Sequence, residues 1–166
     1  MPLSTFELDR HDNPVDVVET MASLNSWTFE RAGDDEISMS VSASWTEYQV
    51  SFTWLPDVEA LHLGCAFDLK VPERRRAEVL SLVSLVNEQL WIGHFGLWDS
   101  EGVVIYRHAL LLSGGMEANR QQCESLLHAA VSSCERFYQA FQFVVWAGKS
   151  AREALDVVMF ETTGEA

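Results

Sequence analysis

Three stretches in the first half of the chain alternate between apolar and polar residues. Ile37, Met39, Val41 and Ala43 are interleaved with Ser38, Ser40, Ser42 and Ser44. Tyr48, Val50, Phe52 and Trp54 are interleaved with Gln49, Ser51 and Thr53, while Leu61, Leu63, Cys65 and Phe67 form one face of a third run that reaches Leu69. A period of two sends successive side chains to opposite faces of a strand, so each run predicts a strand with one face buried and one wet. A shorter strand is predicted from Trp27 to Ala32, closed by Gly33, Asp34, Asp35 and Glu36, and Pro56-Asp57 turns the chain between the second and third runs. Connections this short favour an antiparallel meander.

Helical spacing flanks these strands. Asp12-Asn13-Pro14 reads as an Asx cap followed by proline at the first helical position, and Val15, Val18, Met21 and Ala22 then share one face of a helix ending near Leu24. Pro72-Glu73 opens a second helix with the stripe Val79, Leu82, Val83, Val86 and Leu90. Trp91 to Trp98 and Val103 to Leu112 are two further strands, joined across Asp99, Ser100, Glu101 and Gly102 as a hairpin. Gly114-Gly115 ends the sheet. A long helix from about Met116 to Ala147 follows, striped by Cys123, Leu127, Ala130, Cys134, Phe137 and Phe141, with Gly148 at its carboxyl end. Ser150 and Glu153 form a capping box for a last helix running to about Glu161.

The predicted order is α-β-β-β-β-α-β-β-α-α. That is an α+β fold, a mostly antiparallel sheet with helices packed on one face. Residues 1–11 read as a polar N-terminal tail and residues 12–166 as one domain, since no repeat or linker divides them.

Composition narrows the function classes. With 11 Lys+Arg against 25 Asp+Glu the formal net charge is −14, which argues against nucleic acid and against an anionic membrane surface, both of which need clustered basic residues. No basic and apolar leader opens the chain and no run approaches a membrane span, so a cytoplasmic location is expected. Cys65, Cys123 and Cys134 make an odd count, and Cys123 and Cys134 lie ~16 Å apart along one helix, so free thiols are expected. Residues 1–36 hold nine acids against Arg10 and Arg31, an acidic face that either solubilises the chain or steers a basic partner.

Chemistry-bearing residues are sparse. The nearest approach to a metal pair, His62-Leu-Gly-Cys65, splits across the two faces of a strand, so no metal and no cofactor are expected. Pairing Asp99 with Gly102 sets His94 opposite Arg107 and turns His108 to the other face. His94, Arg107 and His108 are therefore the candidate anion or partner site, because an Arg-His pair can hold a carboxylate or phosphate. Gly148-Lys149-Ser150 lacks the earlier glycine of a phosphate loop. Arg74, Arg75 and Arg76 fan out over one helical turn, as a solvated helix start or a dock for an acidic partner. Six tryptophans and nine phenylalanines exceed what such a core requires; Trp91, Trp98, Tyr138, Phe141 and Trp146 are the candidate interface, because the helix end from Tyr138 to Trp146 is apolar nearly all round.

Several strings carry a resemblance: Arg75-Arg76-Ala-Glu-Val-Leu-Ser-Leu-Val-Ser-Leu-Val-Asn87-Glu-Gln-Leu90, Trp91-Ile-Gly-His94-Phe95, Tyr106-Arg107-His108-Ala-Leu-Leu-Leu and Phe141-Gln-Phe-Val-Val-Trp146-Ala-Gly-Lys-Ser150. With Asn13-Pro14-Val-Asp-Val-Val-Glu they make the chain similar, from about residue 11 to 164, to the YbjN family of bacterial sensory transduction regulators. The resemblance implies a fold like that of type III secretion chaperones, commonly dimeric, with no enzyme activity and no catalytic residues to carry over. The resulting expectation is a non-enzymatic protein-binding regulator or chaperone-like adaptor, a homodimer that takes a protein partner. The alternative is a small-molecule anion sensor or enzyme using His94 and Arg107.

Overall fold

The computed structural model describes residues 12–164; the predicted tail over residues 1–11 lies outside them. Helix α1 (Pro14–Leu24) is followed by strands β1 (Phe29–Arg31), β2 (Glu36–Ser42), β3 (Glu47–Leu55) and β4 (Ala60–Lys70), helix α2 (Arg76–Asn87), strands β5 (His94–Trp98) and β6 (Val103–Leu111), and helices α3 (Arg120–Val145) and α4 (Ala151–Gly164). The element order is the predicted one, and the fold is α+β. No helix among the described residues is long and apolar enough to cross a membrane.

Local signals set the helix ends. The Asn13 side chain accepts from the Val15 N–H at 2.9 Å, and Val15, Val18, Met21 and Ala22 are fully buried. Ser150 and Glu153 make the expected reciprocal cap. Helix α3 begins later than predicted because Asn119 and Gln122 form a capping box at its start. The second helix also starts late: residues Glu73–Arg75 form a 3-10 turn, and the α-helix begins at Arg76.

All strands are antiparallel, in the order β1-β2-β3-β4-β6-β5. The meander therefore holds only through β4. The α2 crossover lets β6 pair with β4 and leaves β5 on the edge. The alternation predicted for β2, β3 and β4 decides which side chains meet the helices: Met39, Val50, Phe52, Leu63, Cys65 and Phe67 face them and are buried. Helices α1 and α3 pack on this face and α2 packs against β5. Phe67, Phe95, Tyr138 and Phe141 meet there edge-on or tilted, with centroids 5.2–5.8 Å apart. The three cysteines are free and buried, and the Cys134 and Cys65 sulfurs stand 3.6 Å apart, joining α3 to β4.

This packing corrects two expectations. Tyr138 and Phe141 are core residues, 3% and 0% exposed, rather than interface residues. The end of α3 is apolar nearly all round because it is buried on several sides within its own chain, between the sheet, α2 and α4. The arginine run is not simply solvated either. Arg75 donates from Nε to the Val144 carbonyl at 2.8 Å and from Nη2 to the Lys149 carbonyl at 2.7 Å, which caps the carboxyl end of α3. Arg76 holds the backbone carbonyl and the carboxylate of Asp99 at the β5–β6 turn.

Candidate functional site

The second face of the sheet carries Ser38 and Ser40 on β2, Ser51 and Thr53 on β3, His62, Gly64 and Ala66 on β4, Ile105, Arg107 and Ala109 on β6, and His94, Gly96 and Trp98 on β5, by the strict alternation of the pairing. Small residues keep its centre low. Ile105 folds over Gly64, where a methyl group would come within 3.4 Å of its Cδ1. Arg107 rises from this floor as the one basic side chain among the residues named.

The β5–β6 register is the one the turn predicts: His94 lies opposite Arg107. On its other side Arg107 faces Gly64, and its Nε donates to His62 Nε2 at 3.2 Å. His62, Gly93, His94, Arg107, His108 and Ala109 line a concavity of about 380 Å³. A nitrogen that accepts from a guanidinium carries no proton, so His62 is neutral in this arrangement. Burial first, and then the charges of Arg107, His94 and His108, push the His62 pKa below its ordinary value. Burial and then His94 do the same to His108. No carboxylate among the described residues forms an ion pair with Arg107 or His94; the ion pairs there lie elsewhere, as where Arg31 takes Asp16 at 2.8 Å and Glu19 at 3.6 Å. No group of three potential metal ligands occurs among the described residues.

Of the three residues the sequence singles out, the structure brings His94 and Arg107 together on the open face and turns the His108 side of β6 toward the helices. His62 takes the third place. It is missed by sequence reasoning because the β4–β6 pairing joins residues 45 apart across α2 and β5; the one signal for it is its position in the outer set of β4. His108 also lines a second, larger groove of about 880 Å³ between β6 and the first half of α3, with Leu110, Leu126, Ala129 and Ser132 beside it and Trp91 at its rim. Three of the five candidate interface residues are exposed: Trp91 (88%), Trp98 (45%) and Trp146 (66%).

Two long-range contacts hold His94 in place. Tyr106 donates from its hydroxyl to the Ile92 carbonyl at 2.9 Å, so the chain before β5 is tied down over the phenol ring. Asn87, the last residue of α2, brackets Phe95: its Oδ1 accepts from the Phe95 N–H at 2.7 Å and its Nδ2 donates to the Phe95 carbonyl at 3.0 Å.

The depressed histidines imply a pH dependence of stability. The unfolded chain titrates these groups near the ordinary value of ~6.5, while the folded chain binds the proton only at lower pH. Between those limits the unfolded state holds more protons, so stability falls as pH drops from 7.5 toward 5.5. Urea midpoints measured at both pH values are expected to decrease on acidification, and to decrease less in His62→Gln; equal slopes for the two proteins would show that His62 has no part in it.

Fold and site together define a two-layer α+β scaffold that covers one face of its sheet with helices and presents the other, with an arginine between two imidazoles. A family model described as "Putative bacterial sensory transduction regulator" matches residues 14–143, and the chain belongs to this family, YbjN. The crystal structure of YbjN from E. coli superposes with a TM-score of 0.52 at 6% identity, covering 72% of this chain and 84% of that one, which shows a shared fold. ExsC in the ExsC-ExsE complex is similar at a TM-score of 0.40 and 17% identity, over 60% of this chain and 72% of that one. No curated protein sequence matches the chain.

Proposed function

We propose that the protein is a non-enzymatic adaptor or regulator that acts by binding another protein, as a homodimer in the cytoplasm. The observation that carries this reading is the sheet face on which no helix of the described residues packs. Along it, small residues open to solvent (Ala66, Gly96, Ala109) are framed by exposed Leu55, Leu111 and Trp98. Apolar groups gathered on a flat surface beside a polar rim suit protein recognition better than solvation. Membership in a family described as sensory transduction regulators supports the same reading. The second reading, a small-molecule anion sensor at His94 and Arg107, is favoured by the concavity there, whose size is at the small end of the ~300–1,000 Å³ typical of ligand pockets.

Capture from the source cells, with bound proteins identified against a charge-matched control, is expected to return one saturable partner. Light scattering is expected to give about twice the 18.7 kDa chain mass. A monomer at micromolar concentration would remove the dimer. Absence of any partner, with a melting shift produced by a small anion, would favour the sensor.

A further inference from the structure

We propose that the concavity of His62, His94 and Arg107 receives a carboxylate from an acidic, partly apolar segment of the protein partner laid along the open sheet face, and that its grip tightens as the pH falls and His62 gains a proton. The proposal rests on the adaptor reading and names the chemistry of its contact.

The argument is one of charge and geometry. In a chain of net charge −14, an arginine on an open surface ordinarily has a carboxylate of its own chain at hand. Arg107 has none among the described residues: it donates to the neutral ring of His62, and across the strand pair it meets a second imidazole, His94. A guanidinium presents its remaining N–H groups as a fork that matches the two oxygens of a carboxylate, with hydrogen bonds about twice as strong as neutral ones. The flanking surface decides between sources of that anion. Ala66, Gly96 and Ala109 are the open part of a low floor, with exposed Leu111 and Trp98 at its ends, which an isolated inorganic ion would leave uncovered and an extended segment with alternating apolar and acidic side chains would fill.

The pH dependence follows from what faces His62. From β6 this is Arg107, with His108 acting more weakly from the other side of the strand, and from β5 it is His94; from β3 the residue opposite is uncharged Thr53. Burial, and then the permanent charge of Arg107, disfavour a proton on the His62 ring. An incoming carboxylate reverses the balance, favouring imidazolium at His62 and releasing Arg107 from its bond to His62. Ligand and proton therefore bind cooperatively, and each strengthens the other by the same factor.

The test uses the full chain and the labelled peptide acetyl-Leu-Glu-Leu-Glu-Leu-Glu-amide, followed by anisotropy, with imidazole proton resonances recorded in parallel. Its glutamates stay ionised above pH 6. Binding is expected to tighten at least threefold from pH 7.5 to 6.0, to weaken at least tenfold in Arg107→Gln, and to raise the titration midpoint of His62. The corresponding Gln peptide should bind at least tenfold more weakly. Arg107 is exposed, so the variant should keep the fold, which circular dichroism checks. Equal binding of the Glu and Gln peptides, or an unaffected Arg107→Gln, would overturn the site. Displacement of the peptide by millimolar inorganic phosphate would overturn the choice of source, and loss of a dimer in Arg107→Gln would place a second copy's carboxylates there instead. Because the peptide assay needs no natural partner, its failure is distinct from failure of the adaptor reading, which the capture experiment decides.

Discussion

Gly93→Ala is expected to be the most damaging single-methyl change in this protein, at about 3–6 kcal/mol. Gly93 sits at φ +70°, and a Cβ built there would overlap the Tyr106 hydroxyl and ring, with even the more distant Cε2 only 2.8 Å away. The left-handed backbone costs an alanine ~1–2 kcal/mol. Displacing a packed ring adds ~1–3 kcal/mol, and losing the Tyr106–Ile92 hydrogen bond ~1 kcal/mol. Against a typical total stability of ~5–15 kcal/mol, that is enough to endanger the fold. Two other glycines separate these causes. Gly114 has φ +80° but open space around its would-be Cβ, so Gly114→Ala should show the backbone cost alone. Gly96 has open space and no positive φ, so Gly96→Ala should be near neutral. Urea midpoints of the three variants give the ranking; a Gly93→Ala as mild as Gly114→Ala would show that the ring does not press on this glycine. The consequence reaches the site, because the same tyrosine fixes the chain from which His94 faces Arg107.

Removing the Asn87 carboxamide should come next, at about 2–4 kcal/mol for Asn87→Ala. The side chain satisfies both polar groups of the Phe95 backbone, as a neighbouring strand would, and Phe95 is 1% exposed. The two groups left without partners are part-buried, so each costs the lower part of the ~1–3 kcal/mol range, about 1–2. Thermal melting should fall by roughly 4–16 °C, at ~2–4 °C per kcal/mol for a chain of this size. Asn87→Asp should not rescue it, since its carboxylate can accept from the Phe95 N–H but would repel the carbonyl. Asn87 also blocks part of the free edge of β5, and unpaired edges recruit other strands. Light scattering on Asn87→Ala is therefore expected to show concentration-dependent association beyond that of the wild type. A variant with unchanged melting and unchanged mass would show that the bracket contributes neither stability nor protection.

Much of the fold was legible because it depends on neighbours in sequence. The Asn13-Pro14 start and the Ser150–Glu153 box are bonds between residues two or three apart, so the residue types announce them. Strand faces follow from a period of two, and the His94–Arg107 pairing from a turn only four residues long. Where a local reading went astray, a distant contact had overridden it. The Tyr138–Trp146 segment is apolar nearly all round whether it meets a second chain or α2 and α4, and the composition is the same in both cases. Arg75 looks like a solvated cation until its reach to the carbonyls of Val144 and Lys149, 69 and 74 positions away, is known.

The sequence by itself determined the order of elements, the buried face of each central strand and the His94–Arg107 pair, since all three are set by interactions within a few residues. Only the tertiary structure decided that β6 lies against β4 and β5 on the edge, that His62 rather than His108 completes the cluster around Arg107, and that Asn87 and Tyr106 hold the strand carrying His94. Those choices come from closing the chain around one core, where residues far apart in sequence compete for the same neighbours and the packing of the whole selects among them.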